Sequence, residues 1–141
     1  MKKQNKHYYI DKFFKDNNKS AGEYPYYLRY DKDEPRNKRW KKQRKKYGFD
    51  DRETWSLDYA FIVWVYERFN MYKDIGGQIV NLDYHKFTID DKEYTQRELI
   101  DRIISDCEYL MKSDIWDAAV YDKKYEDLMK CFSAVLPAMW W

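Results

Sequence analysis

The sequence predicts a mainly α domain: a compact three-helix core, a small β-hairpin between the first and second core helices, and a basic N-terminal extension. Three observations lead there. Residues 59–66, YAFIVWVY, run for eight positions without a charge. Residues 96–112 repeat apolar side chains at spacings of three and four, the mark of an amphipathic helix. The charge is also divided, since residues 1–48 hold 16 Lys+Arg against 6 Asp+Glu, or +10, and residues 49–141 hold 11 against 19, or −8. The net charge of +2 conceals that division. The boundary it suggests sets a basic, aromatic-rich extension over residues 1–47 apart from a helical core domain over residues 48–141.

The first segment, residues 5–16, places Tyr9, Phe13, Ile10 and Phe14 close together on a short amphipathic helix. A breaker-rich stretch follows, and Pro25 confines residues 24–30 to an edge or an extended path. Pro35, after Asp33 and Glu34, signals a helix start. The first core helix is expected over residues 48–73, with Asp50 and Glu53 at capping-box spacing and Gly76-Gly77 as its stop. Because residues 59–66 are uncharged on all sides, Trp64 is expected to be enclosed between the other two core helices. Residues 86–95 alternate as KFTI-DD-KEYT, which predicts a hairpin turning at Asp90-Asp91.

Thr95 and Glu98 form a second capping box ahead of the helix over residues 96–112. Its inward face is Leu99, Ile100, Ile103, Ile104, Cys107, Leu110 and Met111, and its outward face Arg97, Asp101, Arg102, Asp106 and Glu108. Residues 113–121 read as a connector. A third helix starts near Asp122, buries Tyr125, Leu128, Met129, Phe132, Val135 and Leu136, and ends or kinks at Pro137.

Composition narrows the function. The 15 Tyr, 7 Phe and 6 Trp supply apolar area in a chain that is 37% charged. Two cysteines, Cys107 and Cys131, lie on apolar helix faces without a CxxC, which predicts buried reduced thiols. No signal-peptide-like apolar stretch occurs near the N-terminus, so the expected location is the host cell cytoplasm. No nucleotide-binding glycine loop, nucleophile elbow or HExxH zinc motif is present, and an enzyme and a bound cofactor are not expected. Asp83, His85, Asp90, Asp91 and Glu93 gather around the hairpin, but turn aspartates are ordinary and no metal site is assigned.

One segment invites binding. Arg36, Lys38, Arg39, Lys41, Lys42, Arg44, Lys45 and Lys46 surround Trp40, a pattern suited to phosphate contacts with a ring free to stack on a base. A solvated linking helix and a contact with an acidic protein surface account for the same residues. Arg52, Arg68, Trp140 and Trp141 are further candidates for a partner surface.

Residues 47–59, Tyr47-Gly48-Phe49-Asp50-Asp51-Arg52-Glu53-Thr54-Trp55-Ser56-Leu57-Asp58-Tyr59, resemble the RGFSDRDTWSLDY-like core of a family of small uncharacterised bacteriophage proteins. Members tend to close in an aromatic-rich helix ending Leu-Trp. Cys131-Phe132 onward to Trp140-Trp141 is similar, with Pro137 and Met139 departing from the pattern. The resemblance implies a phage origin and a helical heart, and no activity. The resulting expectation is a non-enzymatic phage-encoded protein engaging a host or phage protein complex, such as an anti-CRISPR-type inhibitor of a nucleic-acid-handling defence complex. The alternatives are a nucleic-acid-binding accessory protein using residues 36–46 and a small virion structural component.

Overall fold

The computed structural model describes residues 7–17, 24–112 and 117–141. The described residues are mainly helical, with five α-helices: α1 (Tyr8–Asp16), α2 (Asn37–Tyr47), α3 (Leu57–Asp74), α4 (Gln96–Met111) and α5 (Ala118–Val135). One antiparallel hairpin, β1 (Lys86–Ile89) and β2 (Lys92–Thr95), lies between α3 and α4. No helix among the described residues is long and apolar enough to cross a membrane.

The hairpin forms in the expected register, with Lys86 opposite Thr95 and Ile89 opposite Lys92. Asp90 and Asp91 both take positive φ, 50° and 65°, the conformation a two-residue turn needs to match strand twist. Aspartate tolerates it because its short side chain can bond locally. The expected capping box then opens α4: the Thr95 hydroxyl accepts from the Glu98 N–H, and the Glu98 carboxylate accepts from the Thr95 N–H. From there α4 packs on both α3 and α5.

The core is built from Ile62, Val63, Val65, Tyr66 and Phe69 of α3, seven apolar side chains of α4, and Leu128, Cys131 and Val135 of α5. Ile10 and Phe13 of α1 belong to it as well, with the Phe13 ring 5.7 Å from Tyr66. The core therefore reaches into the segment expected to be an extension, because Ile10 and Phe13 lie three apart and reach α3 together. Cys107 and Cys131 are buried free thiols, as expected, and burial pushes both above the ordinary thiol range.

Several expectations are corrected. The Asp50 carboxylate accepts from the Arg52 N–H and caps a 3-10 turn at Asp51–Thr54, so α3 starts only at Leu57. Asp117 caps α5 by accepting from the Ala119 and Val120 N–H groups, which starts that helix four residues before Asp122. Of the connector expected over residues 113–121, residues 113–116 lie outside the described residues and residues 118–121 belong to α5. Met129 and Leu136 face outward, and Asp106 is interior rather than outward. Most consequentially, Trp64 is 45% exposed. Helix α3 meets its neighbours on one side, and the absence of charge over residues 59–66 did not mean enclosure on the other.

Phe69→Ala removes a buried ring that stacks on Phe132 and should cost about 3–5 kcal/mol. Trp64→Ala should cost less than about 1 kcal/mol. Chemical denaturation of the two variants checks both values.

Candidate anion-binding interface

Helix α2 carries little apolar surface, and what fixes it is a polar and aromatic cluster. Gly48 ends the helix at φ 91°, a left-handed position that a Cβ would strain, and its N–H reaches the Arg44 carbonyl. The chain then returns beneath α2 as the Asp51–Thr54 turn.

Asp50 is the hub of that turn. Its carboxylate accepts from the Arg52 Nε at 3.0 Å and Nη2 at 2.9 Å, and from Arg44 Nη1 at 2.7 Å. Burial opposes ionisation of Asp50, but the hydrogen bonds from Arg52 and Arg44 hold its carboxyl below the usual range. The Arg52 Nη1 donates to the Tyr26 and Arg29 carbonyls, both at 3.3 Å, which ties in the segment before α2. Trp40 lies over this pair, with the Arg52 guanidinium 4.0 Å from its ring and that of Arg36 at 5.0 Å. The Trp40 indole Nε1 donates to Asp51 Oδ1 at 3.1 Å. Gln43 exchanges two hydrogen bonds with Asp51, donating to Oδ2 and accepting from the backbone N–H.

Two residues expected at the interface are therefore interior. Trp40 is 4% exposed and Arg52 is 8% exposed, because the ring and the guanidinium bury each other. The exposed ring beside α2 is Trp55, which stacks on Tyr26 at 5.5 Å and lies 5.7 Å from the Arg36 guanidinium. Tyr26, Arg29, Arg36 and Trp55 are among the residues lining a cleft of about 300 Å³. Trp55 follows the Asp51–Thr54 turn, two residues before α3 starts, and that placement was the available signal.

The eight cations divide by type. Arg36, Arg39 and Arg44 pair with Glu34, Asp51 and Asp50. Lys46 lies 5.1 Å from the Tyr47 ring centre. Lys38, Lys42 and Lys45 make no ion pair with the described residues. At 100° per residue these three fall on the face opposite Trp40, with Lys41 on its flank, and all four are exposed. The planar arginine forks pair with carboxylates while staying about half exposed, and the lysine point charges face solvent.

The remaining candidates lie elsewhere. Arg68 is exposed on α3, 4.7 Å from the Trp64 ring. Trp140 and Trp141 are both exposed, and the Trp141 ring covers Gly76 so closely that a Cβ there would meet it at 2.8 Å. Among the described residues no group of three or more His, Cys, Asp or Glu side chains is placed to hold a metal. No protein-family model, curated protein or solved structure matches this chain.

A second charged cluster joins α4 to α5. Asp106 is buried, and its Oδ2 has no donor among the described residues. Burial, then the hydrogen bond and charge of Asp127, push its carboxyl up to about 8. Burial opposes the ionisation of Asp127 too, but Asp106 and the Arg102 guanidinium hold that carboxyl low. The arrangement is an acid donating to a carboxylate, Asp106 to Asp127.

Two outcomes follow for this region. Trp40→Ala should destabilise the fold by about 3–5 kcal/mol in chemical denaturation. For Asp106, the native state keeps a proton that the unfolded chain releases near its ordinary value of 3.8. Stability should then fall as pH rises from about 4 toward 8, while the lowered Asp127 acts only below that window. Thermal melts across this range should flatten in Asp106→Asn, whose amide can replace the acid as donor.

Proposed function

We propose that the protein is a non-enzymatic binding protein whose primary ligand is a polyanionic backbone, best matched by nucleic acid, held on the lysine face of α2. The observation that carries this reading is the division of the cations. The arginines and Trp40 brace α2 from beneath, and Lys38, Lys42 and Lys45 stand on its outer face with Lys41 beside them. Neighbours at three- and four-residue spacing lie about 5–6 Å apart, a separation that suits contacts with successive phosphates. Lysine ammonium groups neutralise phosphates without reading bases, so the contact should be independent of sequence. The exposed Trp55 ring lies on the other side of α2, beside Trp40 and Arg36, so the lysine contact does not include it.

In the phage setting that the sequence resemblance implies, such a face would place the protein on the nucleic-acid path of a host or phage complex. Inhibition of a defence complex of the anti-CRISPR kind is one form of that activity. Engagement of a protein is the second reading, and the exposed apolar residues of α3 favour it.

Binding to a labelled duplex should weaken steeply with salt. Replacing Lys38, Lys42 and Lys45 together by alanine should flatten the log–log salt slope by about 2–3 units, with no loss of thermal stability. Binding that ignores salt, or an unchanged slope in the triple variant, contradicts the proposal.

A further inference from the structure

Helix α3 has a second seam. Leu57, Phe61, Trp64, Arg68, Met71 and Ile75 follow one another at spacings of four, three, four, three and four, which is the period of a helix-pairing stripe. On the helical wheel all six fall within about 40° of one line. Phe61 is partly covered by Phe132, and the other five are exposed, Leu57 to 67% and Met71 to 52%. This is a five-turn apolar stripe on a helix whose other side is packed into the core.

We propose that this stripe is a homodimer interface in which α3 packs antiparallel against α3 of a second copy. The stripe is complementary to itself in that direction. Its midpoint lies at residue 66, so a twofold axis there sets Leu57 against Ile75, Phe61 against Met71, and Trp64 against Arg68 of the other copy. The polar member then meets a ring, and the Arg68 guanidinium already lies 4.7 Å from its own Trp64. In a desolvated seam such a contact is stronger than at an exposed site. Parallel pairing would instead set Arg68 against Arg68, like charge against like. The exposed parts of the six side chains amount to roughly 500 Å² per copy, so pairing covers about 1,000 Å², the lower bound for a specific interface. A patch used on both subunits is the usual form of twofold assembly. The interface is independent of the lysine face of α2.

Analytical ultracentrifugation of the full chain over a concentration series is the first test. The mass should rise from 17.6 kDa toward twice that value by about 100 µM, as expected for a small interface. Leu57→Glu with Met71→Glu should weaken association more than about tenfold and leave the thermal melt in place, since both residues are exposed. Trp140→Glu, exposed but off the stripe, should leave association unchanged. Register is read by thiol cross-linking, because Cys107 and Cys131 are buried. Leu57→Cys mixed with Ile75→Cys should cross-link between chains, and Leu57→Cys alone should not. A monomer at every concentration, a dimer that survives the two glutamates, a dimer lost with Trp140→Glu, or self-cross-linking of Leu57→Cys would each overturn the proposal.

Discussion

The arrangement of the basic segment depends on the buried pair between Asp50 and Arg52, with the Trp40 ring laid across it. An ion pair taken out of water loses several kcal/mol of solvation per ion, which its attraction restores only if the remaining donors and acceptors are met. Here they are. Asp50 also accepts from Arg44, and Arg52 also donates to the Tyr26 and Arg29 carbonyls. Trp40 covers the pair from the α2 side and hydrogen-bonds to Asp51. One carboxylate thus joins α2, the turn before α3 and the segment before α2. Removing one charge would leave the other buried without its counterion, which is the costly case.

That cluster also determines what α2 can present. A helix with eight cations among residues 36–46 would repel itself if no carboxylate paired with some of them. The acidic residues on either side, Glu34, Asp50 and Asp51, engage the arginines and fix the helix by one face. The lysines are left on the other. The charge division visible along the chain is therefore partly an internal contact and partly an exposed surface, divided between the two basic residue types.

Much of the fold was legible where the signal is local. The Thr95–Glu98 capping box and the hairpin turn at Asp90-Asp91 are each set by a few adjacent residues, the cysteines by the apolar period of their helices, and each appears as expected. The sequence misled where burial depends on what lies across the fold. Trp40 and Trp64 exchanged roles: Trp40, amid charges, is covered because those charges pair beneath it, and Trp64, amid apolar residues, faces out because no described element packs on that side of α3. Asp106 was placed outward by helical period, and the partner that makes its burial tolerable, Asp127, lies on another helix. The site was legible as a basic segment, but the division between arginine and lysine was not, since Arg39–Asp51 and Arg44–Asp50 form only when the chain turns back beneath α2.

The most direct measurement of the central claim is a proton–nitrogen NMR titration of the labelled protein with a short nucleic-acid duplex. The account predicts that amide signals of Lys38, Lys42 and Lys45 move with added ligand. The indole N–H of Trp40, hydrogen-bonded to Asp51 beneath the helix, should stay in place. A shift of the Trp40 indole together with the Arg52 amide, or movement confined to residues away from α2, would contradict it.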